Sequence, residues 1–469
     1  MIKFGTGGWR AVIGDEFVKE NICKVGQGVA ELARSQGKTD KPVIIGYDRR
    51  FLSDSAAKWL AEVLSGNGIK VLFMNRSVPT PLVMHTVQKQ GLHYGLEVTA
   101  SHNPSEYNGI KLIIEEGRDA SVEITNELER LISEVTEVKS EPFAEGLENG
   151  DVCYIKNPFN NFIDDIMRVI DIDAIRERGP RILFDPMHGS GTYPLMVILF
   201  SARCTLDVIN INRDAYFGGI MPAPSQAGLN KLTNMVLSDK YDLGIAVDGD
   251  GDRLGIIDSD GTYVSANDIL CMLYYYLHKY KGWKGPVVRN LATTHMLDAI
   301  AKDFGEECYE VPVGFKYISA KINETDAVLG GESSGGLTVR GHINGKDSIY
   351  AATLFVEMLC KTGMTASQLK NKLTEQYGSF KMVEKNVRFE PEYKETIKKI
   401  VFEEKRLPEF GREIEKISFL DGCKVYFKDG GFIICRFSGT EPLLRIFAES
   451  DTEEKAEKSI KAFSDFLGL

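Results

Sequence analysis

The chain has 469 residues, 43% of them hydrophobic, with 67 acidic against 56 basic side chains and a formal net charge of −11. That length exceeds what one hydrophobic core can organise and, at about 150 residues per domain, predicts three or four domains. The acidic balance excludes long-range attraction to nucleic acid or anionic lipid, so an anionic ligand must be held by cations gathered locally.

From the N-terminus, MIKFGTGGWR has no charged segment followed by an apolar stretch, and LMVILF at 195–200 is far too short to span a membrane. Eight scattered cysteines form no C-x-x-C pair, which predicts reduced thiols in a soluble, cytoplasmic chain. Strand-like runs ending in polar or glycine turns then recur: PVIIGYD at 42, GLEVTASHNP at 95, RILFDPMHGSG at 181, LGIAVDGDGDR at 243 and DAVLGGESSGG at 326. Helical stretches lie between them, among them SAAKWLAEVL at 55, LDAIAKDF at 297 and YAATLFVEMLC at 350. The alternation predicts α/β domains with parallel or mixed sheets and ligand loops beyond the carboxyl ends of strands.

The polar stretch Lys139–Asp151 reads as a linker closing a first domain at 1–150. The turn Asp258–Gly261 closes a second at 151–260, and Tyr377–Glu390 reads as the passage from a third, 261–377, to a fourth, 378–469. In the fourth, GCKVYFKDGGFIICRFSG predicts two strands around a hairpin at Lys428–Gly431. A closing helix follows, expected to be capped by Asp451, with Ala456, Ile460, Phe463 and Leu467 on one face. Joined through a single linker, this segment is expected to move as a lid.

Ser101, beside His102 and ten residues before Lys111, stands in the turn TASHNP. A nucleophile elbow would place glycines two residues on either side of the serine, where this chain has Thr99 and Asn103. In AVDGDGDRLG, Asp248, Asp250 and Asp252 alternate with glycines, so an extended loop turns three mutually repelling carboxylates to one side. A hard divalent cation, Mg²⁺ or Mn²⁺, relieves that conflict. An EF-hand is excluded, because its glycine position holds Arg253 and its twelfth position Ser259. A solvated Asp-Gly turn is the bland alternative, and a phosphatase with Asp248 as nucleophile and Asp250 as acid is the functional rival.

Further along, PVGFK presents Lys316, and GGESSGG presents Glu332 and Ser334, whose oxygens suit hydroxyl groups. CRFSGTEPLLR gathers Arg436, Ser438, Gly439, Thr440 and Arg445, a set suited to a dianionic phosphate.

These loops, in this order, resemble the α-D-phosphohexomutase superfamily over nearly the whole chain, with TASHNP and DGDGDR the specific motifs. The resemblance implies four domains around a central cleft: three related α/β/α domains with mixed sheets and a smaller C-terminal α+β domain. It implies that Ser101 carries a phosphoryl group and that Asp248, Asp250 and Asp252, with Ser101, hold Mg²⁺. FGTGGWR resembles the family's opening and places Arg10 in the site, with Lys111 and Arg253 acting on the transferred group. Glu332 and Ser334 then bind sugar hydroxyls, while Arg436, Ser438, Gly439, Thr440 and Arg445 bind the substrate phosphate. The implied reaction interconverts hexose 1- and 6-phosphates through a hexose 1,6-bisphosphate, which also serves as activator. The expected partner is a small phosphosugar, with no nucleic acid or membrane partner, and the chain is expected to be a monomer or homodimer. Lys111 or Lys316, with a lowered pKa, is expected to move the proton, and His102 either orients the loop or takes part in that transfer.

Two positions depart from subgroups of the family: Gly336 stands where many bacterial members have histidine, and Ser333 where Glu, Gln or Met is common. PVGFK resembles the phosphoglucomutase side, so glucose phosphate is the expected substrate, with mannose phosphate accepted. Phosphoglucosamine mutase is the alternative; a phosphosugar phosphatase and a non-catalytic phosphosugar-binding protein are the remaining ones.

Overall fold

A computed structural model describes residues 2–5, 7–390, 392–437 and 443–469. The chain divides into two compact units, Met1–Ile269 with Ser334–Ser367, and Leu270–Ser333 with Gln368–Leu469.

The first unit begins with a mixed sheet of eight strands. They are β1 (Phe4–Gly5), β2 (Gly8–Val12), β3 (Val43–Tyr47), β4 (Val71–Phe73), β5 (Tyr94–Val98), β6 (Tyr107–Ile114), β7 (Arg118–Asp119) and β8 (Val152–Tyr154). Their order is β1-β2-β6-β5-β3-β4-β8, with β7 beside β6. Strands β8, β4, β3 and β5 run parallel, and β6 turns back antiparallel to β5. The apolar runs in β3 and β5 are buried on both faces, as central parallel strands require. Ile22, Val25, Ala57, Leu60 and Leu64 of helices Lys19–Ser35 and Ser53–Gly66 meet Val43, Ile45, Leu96 and Val98 in one core. Val83 and Val87 of helix Thr80–Gln90 lie over Gly46 and Gly95 on the other face.

A second mixed sheet contains β9 (Arg181–Asp185), β10 (Thr205–Val208), β11 (Leu243–Val247), β12 (Leu254–Asp258) and β13 (Tyr263–Val264), in the order β10-β9-β11-β12-β13. Strands β10, β9 and β11 are parallel, and β12 pairs antiparallel with β11, from Val247 opposite Leu254 outward.

In the second unit, β14 (Val287–Asn290), β15 (Cys308–Val311) and β16 (Leu329–Gly331) run parallel, with β14 between the other two. The short β17 (Leu337–Val339) lies in the stretch that belongs to the first unit. A five-stranded antiparallel sheet follows: β18 (Lys381–Arg388), β19 (Ile414–Ser418), β20 (Cys423–Phe427), β21 (Phe432–Phe437) and β22 (Leu443–Ser450), ordered β18-β22-β21-β20-β19. The Lys428–Gly431 hairpin joins β20 to β21 as expected. The architecture is thus three α/β domains and a C-terminal α+β domain. Among the described residues, no helix is long and apolar enough to cross a membrane.

Several expectations change. Lys139–Asp151 contains helix Phe143–Asn149 and leads into β8, so the first sheet runs past the boundary expected at 150. Asp258–Gly261 is the turn of a hairpin between β12 and β13, and Tyr377–Glu390 contains β18, which pairs with β22 from end to end. Thr452, not Asp451, caps the closing helix by accepting from the Lys455 N–H, while Asp451 pairs with the Lys455 ammonium at 2.7 Å. Ala456, Ile460, Phe463 and Leu467 are buried together, as their spacing requires.

The C-terminal sheet also packs against the region around β14. Phe432, Ile434 and Phe447 form one apolar cluster with Leu291 and Ala292 from the loop after β14. Beside it, Arg289 grips Asp298 at 2.7 Å and Glu310 at 2.6 Å, and Lys424 on β20 reaches the same Glu310 oxygen at 2.7 Å. Separating the two sheets would expose that cluster and part the nearly fully buried Lys424 from Glu310. A linker count along the sequence sees none of this.

Candidate active site

Ser101 lies in the loop that carries β5 back into β6. It is fully buried and adopts a left-handed φ of 53°, a conformation a non-glycine residue keeps only when its surroundings impose it. The Ser101 N–H donates to Thr99 Oγ1 at 2.8 Å, and Thr99 in turn donates to Asp48 at 2.7 Å. The fully buried Arg50 donates to the carbonyls of Ser101 and Asn103 at 2.6 Å, of Pro104 at 2.8 Å and of Tyr107 at 3.0 Å. Arg50 is therefore the fastening of the serine loop, which the sequence reading missed. Its signal was the polar pair at the end of the GYDRR strand, where a buried Asp48 needs a cation.

The acidic residues occupy the turn that joins β11 to β12, a hairpin rather than an extended loop. Gly251 takes φ 71°, and a Cβ on Gly249 would lie 2.8 Å from the Ser101 carbonyl oxygen. The first glycine serves curvature and the second the close approach of two loops. All three carboxylates are buried, with one oxygen from each within 4.8 Å of the others. Asp248 Oδ1 accepts from the N–H groups of Asp252 and Arg253 at 2.9 and 3.0 Å, and Asp248 Oδ2 accepts from Ser101 Oγ at 3.2 Å. Asp250 Oδ2 accepts from Thr80 Oγ1 and from Lys111, each at 2.6 Å, and Lys111 also donates to Asp252 at 2.8 Å.

Charge in this pocket follows from these contacts. Burial pushes the Asp248 carboxyl well above the usual range, and Asp250 and Asp252 reinforce the push. Against the same effect of burial, Lys111 holds Asp250 and Asp252 below it, with Lys346 and Arg253 assisting at Asp252. Burial would strip the proton from Lys111, but Asp250 and Asp252 raise its pKa instead. The expectation of a lowered Lys111 pKa is thereby corrected: the pocket around the lysine reads as cationic only in sequence, while in space Lys111 faces two carboxylates. His102, whose Nδ1 is 3.4 Å from Ser101 Oγ, is held neutral by burial and by the charges of Arg253 and Arg10.

Two kinds of unmet demand remain among the described residues. Asp250 Oδ1 and Asp252 Oδ1 are buried acceptors without a hydrogen bond, and Arg253 Nε is a buried donor without one. Arg10 is half-buried in the same field, its pKa lowered by desolvation and by Arg253. Orphaned carboxylate oxygens fit a hard divalent cation, and orphaned guanidinium donors fit an oxyanion.

Lys346 is a further site residue that sequence reasoning passed over. Its ammonium lies 2.9 Å from Asp252 Oδ2. Its stem runs where a side chain at 336 would be, since a Cβ on Gly336 would meet Lys346 Cδ at 2.2 Å and Cγ at 2.8 Å. The glycine noted as a departure is the space through which Lys346 reaches the acidic loop. Ser334 lies in this first unit, exposed.

The second unit holds the other expected residues. Glu332 is buried and accepts from Asn290 at 3.1 Å, and Lys316 opens helix Phe315–Thr325 half-buried. Arg436 and Arg445 stand directly opposite each other on β21 and β22, so both stems rise from one face. Like charges paired across strands destabilise a sheet unless an anion or acid joins them. Asp421 does so in part, accepting from Arg436 Nε and Nη2 at 3.1 Å each. Ser438, Gly439 and Thr440 lie outside the described residues.

Comparison with known proteins places the whole chain among relatives. Models of the phosphoglucomutase/phosphomannomutase family match it as α/β/α domain I over 1–139, domain II over 160–261, domain III over 265–377 and the C-terminal domain over 384–465. It is 30% identical over 461 residues to a probable phosphoglucosamine mutase of Pyrococcus abyssi, covering 97% of this chain and 95% of that one. It is 29% identical over 458 residues to a phosphoglucomutase/phosphomannomutase of Thermococcus kodakarensis, covering 98% and 96%. A crystal structure of a phosphoglucomutase/phosphomannomutase family protein from Burkholderia thailandensis shares the fold with a TM-score of 0.83 and 22% identity, over 100% of this chain and 98% of that one.

Proposed function

The chain belongs to the α-D-phosphohexomutase superfamily, in its phosphoglucomutase/phosphomannomutase family, and on that premise we propose that it interconverts hexose 1-phosphates and hexose 6-phosphates through a phosphoserine at Ser101. The observation that carries this reading is local: Ser101 Oγ sits 3.2 Å from Asp248, in a pocket whose carboxylates and guanidinium retain unmet hydrogen-bonding capacity. Asp248, Asp250 and Asp252, with a phosphoserine oxygen, would hold Mg²⁺, which supplies charge withdrawal from the transferring phosphoryl group.

The chain's own residues do the rest. Ser101 gives its phosphoryl group to O6 of a hexose 1-phosphate: the bond from phosphorus to Oγ breaks, the bond to O6 forms, and the O6 proton passes by way of the His102 imidazole to Oγ, which ends as a hydroxyl. The 1-phosphoryl group of the resulting 1,6-bisphosphate then returns to Ser101, releasing the 6-phosphate, and free bisphosphate can charge an empty serine. Arg10 and Arg253 stabilise the three equatorial oxygens in flight. His102, kept neutral and near Oγ, is the group that exchanges the serine proton. Lys111 and Lys346 keep Asp250 and Asp252 ionised. Arg436, Ser438, Gly439, Thr440 and Arg445 bind the phosphate that is not reacting, Lys316 assists them, and Glu332 and Ser334 accept and donate to sugar hydroxyls.

For the sugar, PVGFK supports glucose phosphate with mannose phosphate accepted. The name of the Pyrococcus abyssi relative supports glucosamine phosphate as a second reading. Asp248 as an attacking nucleophile is disfavoured, because its Oδ1 is already engaged by two N–H groups and its Oδ2 by Ser101 Oγ. A coupled assay with glucose, mannose and glucosamine 1-phosphates, each with Mg²⁺ and its bisphosphate, separates the sugars. Peptide mass spectrometry after bisphosphate treatment should find the phosphoryl group on Ser101. Full turnover by Ser101→Ala would overturn the mechanism.

A further inference from the structure

The hairpin between β19 and β20 ends in Asp421-Gly422, and both residues are shaped around Arg436. Asp421 takes the guanidinium by two hydrogen bonds, Nε to Oδ2 and Nη2 to Oδ1, each 3.1 Å. Gly422 has φ 84°, and a Cβ there would stand 2.6 Å from Arg436 Cγ and 2.4 Å from the Cys435 carbonyl oxygen. The arginine stem therefore crosses the backbone at the one residue without a side chain, and the adjoining carboxylate clamps its head. The same Asp421 Oδ2 also accepts from the Val313 N–H at 2.8 Å. Val313 belongs to PVGFK, the loop that ends in Lys316. One carboxylate thus ties the loop before Lys316 to the strand that carries Arg436.

We propose that Asp421 is a positioning residue for phosphate recognition, fixing the Arg436 guanidinium and the Lys316 loop in one frame so that the Nη1 side of Arg436 faces the ligand ready-oriented. This rests on the reading of Arg436 as a phosphate ligand. Two effects oppose each other. The carboxylate dilutes the positive charge seen by a phosphate, but it also removes the rotamer freedom that a long side chain would otherwise lose on binding. A two-point, partly buried clamp favours the second effect, because its geometry fixes both the position and the plane of the guanidinium. Arg445, opposite Arg436, supplies compensating charge at the same face.

A double-mutant cycle tests this in the full chain, with glucose 6-phosphate affinity read by calorimetry and steady-state rates read alongside. Asp421→Asn keeps an acceptor for the Val313 N–H, so the loop stays folded while the ionic clamp is lost. Its affinity should fall about tenfold, equivalent to ~1.4 kcal/mol, with KM rising and kcat held within about threefold. Arg436→Ala should fall further, and adding Asp421→Asn to it should change nothing more, since the clamp then has nothing to hold. Asp421→Asn that binds as well as or better than the parent, or that weakens Arg436→Ala by its full single-mutant factor, overturns the positioning role while leaving Arg436 as a ligand. Arg436→Ala with unchanged affinity overturns the underlying reading and the inference with it.

Discussion

Replacing Gly336 by alanine isolates what the unusual glycine does. The added Cβ would sit 2.2 Å from Lys346 Cδ, far inside van der Waals contact, and Cδ is mid-stem, so the whole lysine must leave its path. The ammonium then loses Asp252 Oδ2, now 2.9 Å away, in a pocket where the Asp252 side chain is 1% and the Lys346 side chain 12% exposed. A hydrogen bond between charged groups contributes about 1.5–3 kcal/mol. If the pair matters to the transition state in full, kcat/KM falls by roughly 10- to 150-fold, at ~1.4 kcal/mol per decade. The assay is a cycle of kcat/KM with hexose 1-phosphate for Gly336→Ala, Lys346→Ala and both together. Lys346→Ala should show a loss of the same size, and in that background Gly336→Ala should be silent, because the stem it would strike is gone. Equal effects of Gly336→Ala in both backgrounds would refute the reasoning, since the glycine would then serve something other than the passage of Lys346.

Arg50→Met should cost about 3–5 kcal/mol, because it strands the buried Asp48 and four carbonyls; the melting temperature should drop and amide exchange should quicken over 99–107, and unchanged exchange there would remove Arg50 as the fastening of the serine loop. Asp250→Asn should weaken Mn²⁺ binding, followed by calorimetry on chelator-treated protein, by at least about tenfold. Unaltered metal affinity would reduce the acidic hairpin to a turn. Against the upward push of burial, Arg289 and Lys424 lower the Glu310 carboxyl from 4.5 to about 2, a shift equivalent to ~3 kcal/mol. A lowered pKa gives stability that is present above pH ~4.5 and lost as pH falls through ~2. Glu310→Gln should therefore destabilise the chain against denaturant at pH 7, and the gap from the parent should narrow between pH 4.5 and 3; a gap constant with pH would contradict the ionic role.

Much of this protein is legible in its sequence because its chemistry is local in the chain. The alternation of apolar strands and helical stretches needs only nearest-neighbour periodicity, and it yields the α/β domains and the closing hairpin. Asp248, Asp250 and Asp252 lie two residues apart, so their repulsion, and the cation it calls for, can be argued without a fold. Ser101 and His102 are likewise neighbours. What the chain order hides is whatever depends on groups a few ångströms apart and many residues removed. Lys111 is held protonated by Asp250 and Asp252, 139 and 141 positions away, and electrostatic energy falls with distance in space, not along the sequence. Arg50 secures a loop that begins 51 residues later, and Lys346 passes over Gly336 to reach Asp252. The contacts of the C-terminal sheet are hidden for the same reason. A linker can be counted in the sequence, but the apolar cluster and the Arg289, Glu310 and Lys424 contacts that anchor the C-terminal sheet exist only once β14, β15 and β20 have come together.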